Sequence, residues 1–282
     1  MSELLTLKGT NGVSEIHIES GLLARAASVI GETFSPSRIH IVSDSTVAPL
    51  YLEQLEQQFT LPVTHTVIPA GEEHKRLSTV EGIYHDLLAN GMTRKDLIIA
   101  LGGGVVGDIT GFAAATFLRG VSLCQIPTTL LAQVDSGVGG KTAVDLCGVK
   151  NIVGAFHQPC EVVADPDFLS TLPPREIKCG LGEIVKYAAL NEEIFERLKA
   201  MENIDVCESG GWEFLTSLLA PCIKHKARVV EADEKETGER KSLNVGHTTG
   251  HALELSSSMS HGESVLWGMW FETALAVKYG VC

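Results

Sequence analysis

The chain has 282 residues and is 44% apolar, which is enough for one large or two ordinary domains with a substantial core. Its net charge of -13 argues against nucleic acid or an anionic membrane as the main partner, although a local basic pocket for a phosphorylated small molecule is compatible with it. Seven cysteines without a Cys-x-x-Cys pair suit a reducing compartment, and the N-terminus contains neither a signal peptide nor a membrane span, so we expect a cytoplasmic protein.

The first part of the chain alternates between predicted strands and helices. Strands are predicted at residues 14–19, 38–43, 64–69, 96–101 and 122–127, and helices at residues 21–33, 77–90 and 109–117. The apolar run 96–101 is typical of a strand that is buried on both faces of a parallel sheet. We therefore predict an α/β N-terminal domain with a doubly wound, mostly parallel sheet.

A glycine-rich turn follows that buried strand, with the sequence Gly102-Gly103-Gly104-Val105-Val106-Gly107-Asp108. Glycines between a strand and a helix N-terminus let backbone N–H groups approach a pyrophosphate, and the helix dipole favours the anion there. The pattern indicates a dinucleotide site, but it departs from a strict Gly-x-Gly-x-x-Gly, and turn formation alone would also explain it. Asp44 and Glu72, each just past an earlier strand, are candidates to bind the ribose.

A polar helix is predicted after Pro127, and it leads into Gly139-Gly140-Lys141-Thr142. These residues resemble the end of a P-loop, but the first glycine and the spacing of that motif are met only loosely, so we reject a nucleoside triphosphatase. Lys141 beside bare backbone still suits a phosphate, and Lys150 follows further along the chain. The alternative is that both lysines are solvated surface residues in a loop.

From residue 173 onward the pattern changes to helices without strands. We therefore predict two domains, residues 1–172 and an all-α domain at residues 173–282, with long helices at residues 212–233 and 265–279.

Histidines in the helical domain suggest a metal site or an acid/base site. His247 and His251 stand four apart, which places both imidazoles on one face of a helix, and His261 offers a third ring from a following turn. Gly246 and Gly250 leave the backbone bare beside the pair. The spacing does not identify the carboxylate that would complete a zinc site, and two surface histidines on an amphipathic helix are the alternative.

Together these motifs resemble the 3-dehydroquinate synthase family, the NAD- and zinc-dependent sugar-phosphate cyclases of the shikimate pathway. The resemblance covers nearly the whole chain, in order. It implies conversion of 3-deoxy-D-arabino-heptulosonate 7-phosphate to 3-dehydroquinate and phosphate through transient oxidation by NAD, phosphate elimination, reduction and aldol cyclisation. It also implies a homodimer, in which Arg119 reaches the phosphate bound by the neighbouring subunit.

The resemblance assigns roles residue by residue. It implies that Glu183, His247 and His261 bind zinc, with cobalt as an alternative metal, and that His251 contacts substrate and relays protons. The implied NAD-binding residues are Asp44, Glu72, Lys75, Gly103, Gly104, Val105, Val106, Gly107, Asp108, Thr128, Thr129, Lys141, Lys150, Phe168 and Thr171. The implied substrate-binding and catalytic residues are Arg119, Asp135, Lys141, Lys150, Asn151, Lys186, Lys226, Arg240, Asn244 and His251.

Three alternatives remain at this point. A glycerol-dehydrogenase-like metal alcohol dehydrogenase shares the glycine-rich turn, but Asp135 and the Lys150-Asn151 pair favour a cyclase. Related cyclases act on other sugar phosphates, and Asn244 with His251 favours 3-dehydroquinate synthase over them. A nucleotide-binding remnant without activity is the third. Family members continue past the position of Cys282, so we expect the apolar run 265–281 to expose apolar surface.

Overall fold

The computed structural model describes residues 2–10, 12–200 and 209–281. The chain divides into two compact units, of which unit 1 comprises Met1–Thr128 and Ser136–Asp167, and unit 2 comprises Thr129–Asp135 and Phe168–Cys282. The predicted boundary between residues 172 and 173 stays a proposal. The structural division lies slightly earlier, and unit 2 gains residues 129–135 because Asp135 bonds to Tyr187 and Lys226 of that unit.

Unit 1 is built on a seven-stranded sheet with strand order β1-β2-β9-β6-β5-β3-β4. The strands of the unit are β1 (Glu3–Gly9), β2 (Gly12–Ile18), β3 (Ile39–Asp44), β4 (Val63–Ile68), β5 (Leu97–Gly102), β6 (Ser122–Pro127), β7 (Lys141–Leu146), β8 (Val149–Phe156) and β9 (Glu161–Ala164). Only β1 runs antiparallel in the large sheet, to β2, and the other neighbours are parallel. This confirms the predicted α/β domain with a mostly parallel sheet.

The described residues of unit 1 form four α-helices, which are α1 (Ala26–Thr33), α2 (Ala48–Glu56), α3 (Leu77–Ala89) and α4 (Gly104–Thr116). Every residue of β5 is buried, as the apolar run predicted. Ile83 and Leu87 of α3 and Phe112 of α4 join Ile98 of β5 in one hydrophobic core. Strand β4 is added on one side of β3, whereas β5 and β6 are added on the other side, so the strand order reverses between β3 and β5. The carboxyl ends of β3 and β5 therefore mark the crevice where open α/β sheets bind ligands.

Strands β7 and β8 form a separate antiparallel hairpin that the sequence did not predict. Their two-residue connection, Cys147 and Gly148, has φ values of 53° and 77°, as a tight hairpin turn requires. The alternative interpretation, two surface lysines in a loop, was therefore wrong about the loop, because Lys141 and Lys150 both lie on strands. Lys150 and Asn151 lie on β8, where Asn151 has an unusual φ of 55°.

Unit 2 is helical in its described part, with no strand among those residues, which agrees with the predicted change of pattern. It contains a π-helical turn, Ala132–Ser136, where the sequence predicted part of an ordinary helix. Its α-helices are α5 (Pro174–Leu190), α6 (Glu192–Lys199), α7 (Ser209–Ala232), α8 (His247–Ser256) and α9 (His261–Lys278). Within the described ranges, no helix is both long and apolar enough to cross a membrane.

Helix α9 begins four residues before its predicted start because Ser260 and Glu263 form a capping box. One side of the helix presents large apolar side chains. Trp267, Trp270 and Val277 are 53%, 66% and 62% exposed, as expected for the run 265–281.

Glycines let helices α5, α8 and α9 approach one another very closely. A Cβ added to Gly268 of α9 would lie 2.0 Å from the carbonyl oxygen of Gly246, and one added to Gly182 of α5 would lie 2.4 Å from that of Gly262. Gly246 also has a φ of 80°, a conformation that favours glycine, at the N-cap of α8. The backbones at these crossings are therefore in direct contact, which leaves no space for side chains.

We predict that Gly268→Ala lowers the free energy of unfolding by about 1–3 kcal/mol, because the methyl group must push α8 and α9 apart. The matched control is Gly82→Ala on α3, where an added Cβ meets nothing within 4 Å. That change is expected to be neutral or to stabilise by up to about 1 kcal/mol through helix propensity. Urea unfolding of both variants measures the difference, and equal stabilities would contradict the close helix crossing.

Candidate functional site

Three potential metal ligands from three helices converge in unit 2. Glu183 lies on α5, His247 is the first residue of α8 and His261 is the first residue of α9. Glu183 Oε1 lies 3.2 Å from His261 Nε2 and 3.6 Å from His247 Nε2. The glycine crossings hold these helices together, so Glu183 meets two histidines that lie 64 and 78 positions further along the chain.

Glu183 is fully buried, and neither of its carboxylate oxygens accepts a hydrogen bond of good geometry from a described residue. Lys186, one turn further along α5, forms an ion pair with it. Burial raises the pKa of Glu183, but the nearby Lys186 charge outweighs that effect, so the net pKa is lowered. The carboxylate is thus ionised, and it is able to bind a metal ion in addition to its ion pair with Lys186.

The two histidines respond differently to this surrounding. Burial lowers the pKa of His247. Burial also acts to lower the pKa of His261, but its close contacts with the carboxylates of Glu183 and Glu254 outweigh that effect and raise the pKa to about 9. A metal that binds His261 at neutral pH must therefore displace a proton from the ring.

This donor set fits zinc. Two imidazole nitrogens and one carboxylate oxygen, all within 4.8 Å of one another, match the three protein ligands of a catalytic zinc site, which keeps an open position for substrate. The buried carboxylate without a good hydrogen bond is the structural sign that a cation belongs there.

His251 lies beside these ligands without joining them at Glu183. Its ring centroid is 5.4 Å from that of His247 and 6.1 Å from that of His261. Its own group of potential metal ligands contains Glu254 and His261. His251 is exposed, which suits a side chain that meets substrate.

A buried network surrounds Asp135, which lies on the π-helical turn. Lys226 Nζ lies 2.8 Å from the Asp135 carbonyl oxygen and also contacts its carboxylate, while the Tyr187 hydroxyl donates to Oδ1 at 2.6 Å. Burial alone would raise the pKa of Asp135, but the charges of Lys186 and Lys226 hold it well below its usual range. Burial lowers the pKa of Lys226 and raises that of Tyr187 well above its usual value.

Arg240 and Asn244 lie together on the 3-10 helix Glu239–Asn244. The Arg240 side chain is 1% exposed and donates to the carbonyl oxygen of Glu234 at 2.5 Å. Asn244 donates to the carboxylate of Glu236, whose φ of 58° is rare for a residue with a side chain.

In unit 1 the buried Lys75 side chain contacts one predicted cofactor residue and one predicted substrate residue. Lys75 is 5% exposed, and its ammonium lies 2.5 Å from Asp108 Oδ2 and 2.6 Å from Asn151 Oδ1. Lys150 Nζ lies 3.5 Å from Glu72 Oε1. The turn before α3, the first part of α4 and the hairpin strand β8 therefore meet at one place.

The glycine-rich turn has the geometry expected for a nucleotide. Gly103 is the N-cap of α4, so the residues Gly104, Val105, Val106 and Gly107 form its first turn at the carboxyl end of β5. Thr128, which follows β6, donates its backbone N–H to Gly102, while its buried hydroxyl has no hydrogen-bond partner among the described residues. A buried hydroxyl without such a partner is available to bind a ligand, which fits an NAD site at this edge of the sheet.

The remaining predicted residues lie on turns and strand ends. In unit 1, the Asp44 carboxylate accepts hydrogen bonds from the backbone of Thr46 and Val47, and Lys141 begins β7. Arg119 has a φ of 67°, in a turn where Leu118 also has a positive φ. The other three lie in unit 2, where Thr129 Oγ1 accepts from the backbone of Ala132, and the Thr171 hydroxyl donates to the carbonyl oxygen of the buried Phe168.

Four residues that the sequence analysis missed support these sites. Tyr187 holds Asp135, Glu236 holds Asn244, and Glu254 lies beside His261. Glu272 of α9 accepts backbone N–H groups of Gly246 at 2.9 Å and Thr249 at 3.0 Å, and so caps the helix that carries His247. Only spatial contacts identify them, apart from Tyr187 and Glu254, which stand one and three residues from predicted site residues.

We predict that alanine at Glu183, His247 or His261 removes zinc from the purified protein, whereas His251→Ala retains zinc and turns over poorly. Atomic absorption on each variant measures zinc per chain. A His251→Ala protein without metal, beside a metal-replete His261→Ala protein, would show that the third ligand is assigned wrongly.

We also predict that Tyr187→Phe lowers the free energy of unfolding by about 1.5–3 kcal/mol, because it removes a buried hydrogen bond to a charged carboxylate. Tyr84→Phe is the control, since it removes a hydroxyl contact to Thr116 at an exposed position. Its expected effect is at most about 1 kcal/mol. Chemical denaturation compares the two, and a loss for Tyr187→Phe no larger than for the control would exclude a structural role of this bond.

Comparisons with known proteins identify the family to which the chain is similar. The 3-dehydroquinate synthase N-terminal family matches residues 65–179, and the 3-dehydroquinate synthase C-terminal family matches residues 180–282. The 3-dehydroquinate synthase of Rhodospirillum rubrum is 44% identical over 100% of this chain and 74% of its own length. That of Pelobacter propionicus is 43% identical over 100% of this chain and 80% of its own length.

Solved structures similar to the chain include two other cyclases. A 2-deoxy-scyllo-inosose synthase has a TM-score of 0.87 at 29% identity, over 99% of this chain and 78% of its own. A 2-epi-5-epi-valiolone synthase from Streptomyces hygroscopicus, with NAD+ and Zn2+ bound, has a TM-score of 0.85 at 29% identity, over 99% of this chain and 78% of its own. A probable glycerol dehydrogenase from Sinorhizobium meliloti, at 15% identity, shares only the fold. The family matches and the identity over the full chain show that it belongs to the 3-dehydroquinate synthase family, the NAD- and metal-dependent phosphate-eliminating cyclases of the shikimate pathway.

Proposed function

We propose that the chain converts 3-deoxy-D-arabino-heptulosonate 7-phosphate to 3-dehydroquinate and phosphate, with zinc bound by Glu183, His247 and His261. The observation that carries the proposal is the convergence of His247 and His261 on the buried carboxylate of Glu183, in a chain 44% identical to a 3-dehydroquinate synthase. NAD is assigned to the glycine-rich turn at the carboxyl edge of the sheet in unit 1.

The glycine-rich turn would hold NAD, which would supply reversible hydride transfer, and Glu183, His247 and His261 would hold zinc, which would supply Lewis acidity toward a substrate hydroxyl. The residues of the chain bind, orient and move protons around this chemistry. His251, exposed beside the metal ligands, is assigned to move a proton to or from the substrate. The carbonyl and carboxylate oxygens of Asp135 contact the Lys226 ammonium and hold its positive charge at a fixed position.

Positive side chains supply the charge that a phosphate and a carboxylate require inside an acidic protein. In unit 2 these are Lys186, Lys226 and Arg240, all nearly inaccessible to solvent. Lys141, Lys150 and Asn151 of unit 1 are assigned to the substrate or cofactor by the family resemblance. Arg119 is assigned to the phosphate of a neighbouring subunit in a homodimer, and its positive φ is consistent with a turn strained for function.

Further features of the proposal concern metal, location and substrate. Structural relatives hold NAD+ with Zn2+ in one case and NAD+ with Co2+ in another, which supports zinc with cobalt as an alternative. We assign the chain to the cytoplasm because its seven cysteines without a Cys-x-x-Cys pair suit a reducing compartment. The 3-dehydroquinate synthase reaction is favoured over those of the other cyclases by 44% identity against 29%, and by Asn244 and His251 at the substrate positions.

We predict that phosphate release from 3-deoxy-D-arabino-heptulosonate 7-phosphate requires NAD, yet that no NADH accumulates with turnover. The reason is that the hydride removed from the substrate returns to it within one catalytic cycle. A coupled phosphate assay and absorbance at the NADH band, recorded on the same sample, measure both quantities. NADH growing in step with phosphate would move the protein to the dehydrogenases.

A further inference from the structure

We propose that Glu254 is a positioning residue for the metal site, which fixes the tautomer and orientation of His261 through its second ring nitrogen. The inference rests on the proposed metal site and extends it to a residue that binds neither metal nor substrate. In this role the Glu254 carboxylate accepts a hydrogen bond from a metal-bound imidazole.

The first step concerns the two nitrogens of His261. Nε2 faces Glu183 Oε1 at 3.2 Å, and Nδ1 faces Glu254 Oε2 at 3.3 Å. A neutral imidazole carries one proton, so a metal at Nε2 requires the proton to be on Nδ1. The Glu254 carboxylate accepts hydrogen bonds and donates none when ionised, so it selects this tautomer.

The second step is a comparison with the other histidine ligand. His247 Nδ1 lies 3.2 Å from the carbonyl oxygen of Val245, while its Nε2 faces Glu183. Both imidazoles therefore present Nε2 to the same carboxylate and Nδ1 to an oxygen acceptor. The acceptor for His247 is backbone, but the acceptor for His261 is a side chain, so only the second can be removed by substitution.

The third step separates positioning from ligation. Glu254, His251 and His261 also lie close enough to form a group of potential ligands. Glu183 is the stronger ligand for a shared ion, because it is fully buried and lacks a good hydrogen bond, whereas the Glu254 side chain is 16% exposed and faces Nδ1. His261 then binds metal through Nε2, and Glu254 remains its hydrogen-bond acceptor.

The test uses the full chain, stripped of metal and titrated with Zn2+ against a chromophoric chelator, and separately with Co2+ to record its visible spectrum. The variants are Glu254→Ala, which removes the acceptor, and Glu254→Gln, which keeps an acceptor oxygen without the charge. Glu213→Gln on α7, at an exposed position, is the matched control. Circular dichroism of each metal-free variant checks that helix content is unchanged.

We expect Glu254→Ala to weaken zinc binding by about 10–100-fold at one ion per chain, Glu254→Gln to weaken it less, and the control to match wild type. The Co2+ spectrum of Glu254→Ala should also change, because His261 is free to rotate. Wild-type affinity and spectrum in Glu254→Ala would overturn this inference alone. Loss of one of two bound ions, with the other unchanged, would overturn it by making Glu254 a ligand. A wild-type chain that binds no metal would overturn the proposed function as well.

Discussion

The buried carboxylate of Glu183 is the constraint on which unit 2 depends. An ionised carboxylate removed from water is unfavourable unless positive groups surround it, and here they come from Lys186 on the same helix and from imidazoles on two others. Those imidazoles reach it only because the helix backbones touch at glycines. The helix packing and the proposed metal site therefore depend on each other, because any substitution that separates α5, α8 and α9 also separates the proposed metal ligands.

Each of the ligand-bearing helix ends is itself held by an acidic residue. The N-terminus of α9, at His261, is closed by the capping box of Ser260 and Glu263. The N-terminus of α8, at His247, has glycine at its N-cap and receives its acceptors from Glu272 on the neighbouring helix instead. Negative charge near a helix N-terminus is favourable, so these residues fix the starts of both helices. These contacts hold the first residues of both helices, which are the two histidines, in place.

The sequence predicted the parts of the fold that local pattern determines. The buried run in β5 and the helical spacing of His247 and His251 needed no long-range information. The hairpin of β7 and β8 was missed because its turn is Cys147-Gly148, where the favoured residues Asn-Gly or Asp-Gly are absent. Glu183 became a ligand candidate only through family resemblance, since its partners lie far along the chain. Glu272 and Glu236 were missed for the same reason, because their contacts depend on how helices and turns meet.

At the proposed metal site, the pairing of Glu183 with Lys186 makes the affinity for a metal ion depend on whether an anion is bound nearby. A divalent cation at Glu183 arrives where Lys186 already offsets the carboxylate, and Lys226 and Arg240 add further positive charge to the same unit. An anion in this surrounding reduces the repulsion, and thermodynamic linkage requires each of the two to raise the affinity of the other by the same factor. The phosphate released by the reaction is such an anion. At the proposed site, metal affinity and phosphate affinity would therefore be coupled through charge, and both would depend on the ionic composition of the solution.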